Sequence, residues 1–439
     1  MAEPAWRRRF RATRVGFPIW ARERPDRLIH LSNESGKYEV HAWDLERGER
    51  RQVTDRPEGT GYRVASRIDP TADEIWWWND AKGDEFGNWT VEPFTGGQRH
   101  DPAPLKPSYS AGLALGRTVA VIGRSDDAGT TVHVLPRGDR PLQIYQHREH
   151  ATVRELSADE TLFALDHSEH GDARNRAVRI VDLAGRTVAE AWDGPGRGLS
   201  SGEWSPIAGD ARVIVGHERR GRREPLLFSP LTGEQRELGI DLSGEVFARW
   251  YPDASALLLI HQHRGRTELH RLDLASGALS RLPHPPGSID DARVRPDGAV
   301  WSRMGSSAEP PAIHDGRAVV LAPPGEPAPG SVRYTDADVA GVHVFVAAPP
   351  GQRPHPAIFI VHGGPEAHDA DEFSPSVQAW VDHGFAVLLA NYRGSSGYGK
   401  EWRDALRGDP GFTELADLAK VRAWGVMSGL IDPGRCVMS

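Results

Sequence analysis

Two glycine-bearing stretches hold the residue types that chemistry would need. The first is HGGPEA, His362 to Ala367, and the second is NYRGSSGYG, Asn391 to Gly399. Acyl transfer requires hydrogen-bond donors aimed at the oxyanion that forms on the attacked carbonyl, and glycine lets backbone N–H groups approach closely. His362, Gly363 and Gly364 are therefore the expected half of an oxyanion hole; a tight turn at a strand end is the plainer alternative. His368 and His383 are read as surface residues, and neither is given a catalytic role on residue type alone.

Other chemistries lack a signature. There is no P-loop, no Rossmann glycine fingerprint and no Cys/His pair at zinc spacing, so neither cofactor nor metal is expected. A net charge of −8 argues against nucleic acid and against an acidic membrane surface as partners. No apolar run approaches the roughly 20 residues that span a bilayer, so no membrane is expected either. The start MAEPAWRRRFRATRVGF is basic but has no apolar core after it, which disfavours a secretory signal. A single cysteine, Cys436, excludes an internal disulfide and fits a reducing, cytoplasmic location. RRGRR at 219–223 reads as a solvated loop.

The elements that would position the glycine turns fall into two kinds. Residues 1–325 carry a repeat: turn glycines recur at Gly48, Gly96, Gly138, Gly185, Gly233, Gly277 and Gly316, spaced 39 to 48 residues apart. Before most of them lies a Pro/Asp turn feeding a short apolar strand, as in DPTADEIWWW, SADETLFAL and YPDASALLLI. A period near 45 with about four short strands per unit is the signature of a β-propeller, and seven turns predict seven blades. An irregular array of β-sandwiches is the alternative. Trp76 to Trp78 read as blade packing, with Trp77 facing opposite to its neighbours, so that at least one of the three meets solvent or another blade.

LAPPGEPAPGS, Leu321 to Ser331, is the predicted linker. After it, residues 326–439 read as part of an α/β domain. A hairpin turns at Ala340–Gly341, and Ala357 to Val361 is a buried parallel strand. A helix follows with Ser374 as N-cap, Pro375 at its first position and Gly384 as its stop. FAVLLANYRG is the next strand, so strand, helix and strand make a parallel βαβ unit. Helices are expected over Glu401–Arg407 and Thr413–Ser428, the second with Leu415, Leu418, Val421 and Trp424 along one side. RCVMS then begins a further buried strand, which includes Cys436.

At HGGPEA, NYRGSSGYG and GDPGF the chain resembles the prolyl oligopeptidase family of serine peptidases, especially its acylaminoacyl-peptidase-like branch. The specific motifs lie between Ile358 and Ser439. The resemblance implies an all-β seven-bladed propeller followed by the N-terminal part of an α/β-hydrolase domain. It also implies hydrolysis of peptide or acyl-peptide bonds of short peptides through an acyl-enzyme, with the propeller screening substrates by size. Tyr392 and Arg393 then border the active site, or belong to a well-packed loop, and Glu366 meets a substrate amino group or caps its own loop. The sequence contains no Glu-Glu dipeptide, which disfavours the dipeptidyl branch.

In that family the strand after the long helix leads into the nucleophile elbow, G-x-S-x-G. Ser439 is not that nucleophile, because Val437 stands where the motif needs glycine. The triad runs Ser, Asp, His in chain order, so all three members are expected downstream of residue 439. The chain is thus read as truncated and catalytically silent alone, with no catalytic triad residue in it and a complementing C-terminal hydrolase chain as one conceivable partner. The competing reading is a non-catalytic propeller that binds or scaffolds, carrying a vestigial hydrolase segment. An unpaired apolar strand edge predicts poor solubility in isolation.

Overall fold

A computed structural model describes residues 3–439 except 62, 63, 65, 81, 286 and 365; Pro365 of the HGGP motif thus lies outside the described residues. All seven turn glycines adopt positive φ, between 68° and 89°, as hairpin turns of this kind require. The strands they join form antiparallel meanders: four-stranded sheets over 19–52, 151–191, 200–237, 245–282 and 288–321.

The division into seven separate blades is corrected. Five four-stranded blades stand alone, whereas residues 67–147 form one continuous seven-stranded sheet. Its two halves are joined where Phe86–Pro93 pairs with Ser108–Leu115 at Phe86↔Tyr109 and Gly87↔Ser108. The physical reason lies between them. After Gly96 only an isolated bridge, Val91↔His100, continues the ladder, because Pro102, Pro104 and Pro107 have no N–H to give it.

Apolar clusters fill the gaps between neighbouring sheets. Leu162, Ile180 and Ala191 of one blade pack with Val213, Val215 and Phe228 of the next. The ring closes where Leu28 and Trp43 of the first sheet meet Trp301 and Ile313 of the last. Arg295 seals this seam, its guanidinium 4.4 Å from the Trp301 ring and 5.1 Å from Trp20. Trp76, Trp77 and Trp78 are all buried; Trp77 packs with the first blade while its two neighbours face the other way.

The C-terminal sheet has five strands in the order Thr335–Val339, Val342–Ala347, Ala386–Asn391, His355–Ile360, Ile431–Met438. The first two make the predicted hairpin, and the last three run parallel. Helix Pro375–Asp382, capped by Ser374, covers one face through Val377 and Val381. Helix Thr413–Met427 covers the other through Leu418 and Val421, while Leu415 stays half exposed. The last strand lies at the sheet edge and starts earlier than expected. Its pairing jumps from His355↔Ile431 to Ala357↔Cys436, so Asp432–Gly434 loops out as a turn within the strand. The N-terminal helix Ala5–Arg11 also joins this unit, with Arg9 bonded to Asp382 at 2.5 Å and to the Gly330 carbonyl at 2.6 Å.

A hairpin turn of the fourth separate blade makes a close contact between the two parts. Arg264 and Arg266 flank Gly265, and they reach Asp338 and Asp336 of the C-terminal hairpin at 3.1 Å and 2.7 Å. Gly265 (φ +66°) lies flat on the fully buried Phe345, so close that a Cβ there would sit 2.5 Å from the ring and 2.6 Å from the Asp369 carbonyl oxygen. Gly265→Ala therefore forces the hairpin off the sheet and adds backbone strain. Its expected cost is about 1–3 kcal/mol, measured as a lower urea midpoint for the 439-residue chain; an unchanged midpoint would show that the junction does not support the fold.

Candidate active site

The HGGP turn leaves the end of the His355–Ile360 strand, and NYRGSSGYG leaves the end of its neighbour Ala386–Asn391. Parallel register sets both glycine loops at the carboxyl ends of adjacent strands, where open α/β sheets place their sites. Tyr392, buried beside the turn, stacks on the His362 ring at 4.5 Å and donates its hydroxyl to the His362 carbonyl at 2.5 Å. Burial pushes the Tyr392 hydroxyl up to about 12, so it remains a donor at neutral pH. Burial also lowers the His362 imidazole, and Ser395 bonds its Nε2 at 2.8 Å.

Gly363 and Gly364 project from this clamp. Both are exposed, Gly364 has φ +130°, and among the described residues no acceptor takes up either N–H. The turn is thus held rigidly by His362 while two backbone donors remain free.

The other sequence-selected residues separate. Arg393 turns away from the loop and is held by Asp417, with Nε at 2.9 Å and Nη2 at 3.0 Å; it fastens the loop to helix Thr413–Met427. Glu366 faces the propeller, its carboxylate 3.9 Å from Arg174. Both line or adjoin different surroundings, and only His362, Gly363, Gly364 and Tyr392 form one group. His368 is bonded to Ser396 at 2.9 Å and held below its usual range by burial, so it is not the free surface residue expected; His383 is exposed.

Glu366 borders a cavity of about 210 Å³ between the propeller and the C-terminal sheet, lined by Arg154, Arg174, Arg176, Arg223 and Arg403 among others. The RRGRR stretch is therefore more than a solvated loop: Arg223 reaches this cavity, and Arg219 is tied to Asp193 at 2.7 Å and Glu237 at 2.9 Å. Glu218 at the cavity wall anchors Lys400 at 3.0 Å and Arg403 at 3.1 Å. Burial alone would raise its carboxyl, but these bonds hold it below the ordinary range.

The Ser395–His362 contact resembles a nucleophile and base, yet the serine is fully buried and the ring's Nδ1 faces the Gly363 carbonyl and the Tyr392 hydroxyl rather than a carboxylate. The pair braces the turn.

Residues 371–439 match the prolyl oligopeptidase family. The chain is similar to the acylamino-acid-releasing enzyme of Mus musculus, 28% identical over 251 residues that cover 54% of this chain and 30% of the mouse protein. It is also similar to dipeptidyl-peptidase 5 of Aspergillus fumigatus, 26% identical over 197 residues, 39% of this chain and 27% of that protein. The matched stretch thus spans about a third or less of these relatives. The fold of a puromycin hydrolase superposes with a TM-score of 0.81 at 18% identity, covering 100% of this chain and 75% of that one. A puromycin-hydrolyzing peptidase of Mycobacterium tuberculosis gives 0.82 at 17%, again over 100% and 75%.

One group in this chain escaped the sequence: Asp369, four residues beyond HGGP. Its backbone is clamped by the Asn391 amide at 2.8 Å and 3.0 Å, and its Oδ2 is enclosed without a partner among the described residues. Burial, with the nearby Glu372 charge, pushes its carboxyl up to about 7. An acid raised in the folded state holds its proton longer there than in the unfolded chain. Stability contributed by the neutral acid is full below the unfolded value near 4 and is lost as pH rises through 7. Asp369→Asn is expected to gain on the order of a few kcal/mol over wild type between pH 5 and pH 8, read from paired denaturation curves; a constant difference across that range would refute the assignment.

Proposed function

We propose that this chain supplies the substrate-screening propeller and half of the oxyanion hole of a serine-type peptidase that cleaves short peptides or acyl-peptides through an acyl-enzyme. The observation that supports this reading best is the pair of free N–H groups at Gly363 and Gly364. They sit at the carboxyl end of a parallel strand, on a turn locked by His362 and Tyr392. Such donors stabilise a tetrahedral intermediate without reorganising as charge develops.

No exposed serine among the described residues has a histidine base that is itself oriented by a carboxylate. We therefore infer that the nucleophile, its base and its carboxylate belong to further hydrolase sequence, and that the 439 residues alone are catalytically silent. The strand Ile431–Met438 offers the place for it. Val437 and Met438 are more than half exposed, and with Phe359, Leu415, Leu418 and Cys436 they line an apolar groove of about 350 Å³ along that edge. A further strand pairing there, from the same or a complementing chain, would cover the groove. No helix among the described residues is long and apolar enough to cross a membrane, and with the single thiol this favours the cytoplasm as the site of action.

Substrates would approach through the arginine-rich cavity. Its lining holds six arginines against three carboxylates, an excess that favours the carboxylate end of a short peptide over its ammonium end.

A fluorophosphonate probe tests the reading. The protein purified from its source is expected to carry label on a species that includes this sequence, while the isolated 439-residue chain takes none. In the labelled enzyme, C-terminally amidated peptides are expected to show a raised KM and little change in kcat. Label on the isolated chain would overturn its silence, and a stable unlabelled native species of 48.2 kDa would overturn the peptidase reading.

A further inference from the structure

The fourth separate blade holds a polar cluster that the peptidase reading does not use. Its two central strands, Ala256–His263 and Arg266–Asp273, form the hairpin that bears the Gly265 turn. In their register His261 stands directly opposite Glu268, and His270 follows Glu268 by two residues. All three therefore share one face of the hairpin. Nearer the middle of the blade that face is apolar, with Leu257, Leu259 and Leu272 packed against the preceding blade.

Three features of this cluster are those of a metal site. First, one donor atom from each of His261, Glu268 and His270 lies within 4.8 Å of the other two. Second, both rings are about nine-tenths buried; Nδ1 of His261 is enclosed without a partner among the described residues, and Nε2 of His270 is enclosed with only the long Glu268 contact at 3.5 Å. Buried polar atoms are ordinarily satisfied, so an orphaned ring nitrogen and a loosely held one beside the same carboxylate call for an explanation. Third, the outer contacts are those that orient ligands. The Nε2–H of His261 donates to the Ser243 carbonyl, and Arg281 takes Oε1 of Glu268 at 2.8 Å. The other carboxylate oxygen, Oε2, is left 3.5 Å from Nε2 of His270. That spacing is close to the edge of a tetrahedron built on bonds of roughly 2.0–2.1 Å.

We propose that His261, Glu268 and His270 bind a divalent transition-metal ion, with zinc the best match to two imidazoles and one carboxylate. His263 stacks on His261 at 6.0 Å. The ion would clip together the two strands whose turn carries Arg264, Gly265 and Arg266 onto the C-terminal sheet. Its role is thus to stiffen the junction between the two parts of the chain.

A second group, His167, His170 and Glu190, supplies an internal control. There the carboxylate is already bonded by Arg179 at 2.6 Å and His170 at 2.9 Å, which leaves a cation little to gain.

The test uses the whole 439-residue chain, freed of metal with a chelator and titrated with Zn²⁺ by calorimetry, and with Co²⁺ by visible absorption. One saturable site, ligand-field bands of a four-coordinate ion and a raised Tm are expected. His261→Ala, His270→Ala and the half-exposed Glu268→Gln should each weaken binding on the order of a hundredfold, with His170→Ala leaving it unchanged. Glu268→Gln keeps the test decisive if the buried histidine variants do not fold. Absence of saturable binding, binding indifferent to Glu268→Gln, or binding lost with His170→Ala would each overturn the proposal.

Discussion

The structure turns on the contact between a glycine and a phenylalanine. Gly265 rests on the Phe345 ring with no room for a Cβ, and Arg266 lies over the same ring at 5.1 Å. This contact sets the distance at which propeller and C-terminal sheet meet, and polar groups spread outward from it. Arg266 holds Asp336, Asp336 accepts from Nε2 of His343 at 2.8 Å, and Nδ1 of His343 receives the Tyr398 hydroxyl at 2.7 Å. Burial lowers the His343 imidazole and raises the Tyr398 hydroxyl, so the chain consists of a neutral ring between a carboxylate and a phenol that keeps its proton. Tyr398 belongs to the same glycine-rich loop as Tyr392. The position of the site is therefore tied to the blade hairpin through a continuous set of bonds.

A junction rich in buried charge is costly unless each charge is paired. Here most are: Glu218 takes both Lys400 and Arg403, and Glu245 accepts the Gly397 N–H at 3.1 Å. The enclosed Asp369 carboxyl is an exception, and at the cavity Arg174 and Glu366 stand 3.9 Å apart.

The turn itself depends on ordinary packing. Tyr392 fills the space beneath His362, Trp402 bonds the Tyr392 carbonyl at 2.9 Å, and Arg393 pins the loop to Asp417. These bonds let a glycine pair remain exposed without collapsing.

Much of this was legible in the sequence because it is local. Turn glycines, the Ser374–Pro375 cap and the apolar run Ala357 to Val361 act within a few residues of themselves, and each produced the expected element. The glycine turn and its His362 were legible for the same reason. What tertiary structure alone decided involves partners far apart in the chain. Only the fold sets Arg393 on Asp417, Glu366 opposite Arg174 and Arg223 of RRGRR at the cavity. The fused sheet at 67–147 arises because prolines deny one repeat its outer strand and its free edge then finds the next. His261, Glu268 and His270 carry no metal spacing when read along the chain; antiparallel register across a hairpin brings them together. Residue type and local period determine which elements form, but charge and donor atoms take their roles from whichever distant neighbour the fold brings within hydrogen-bond reach.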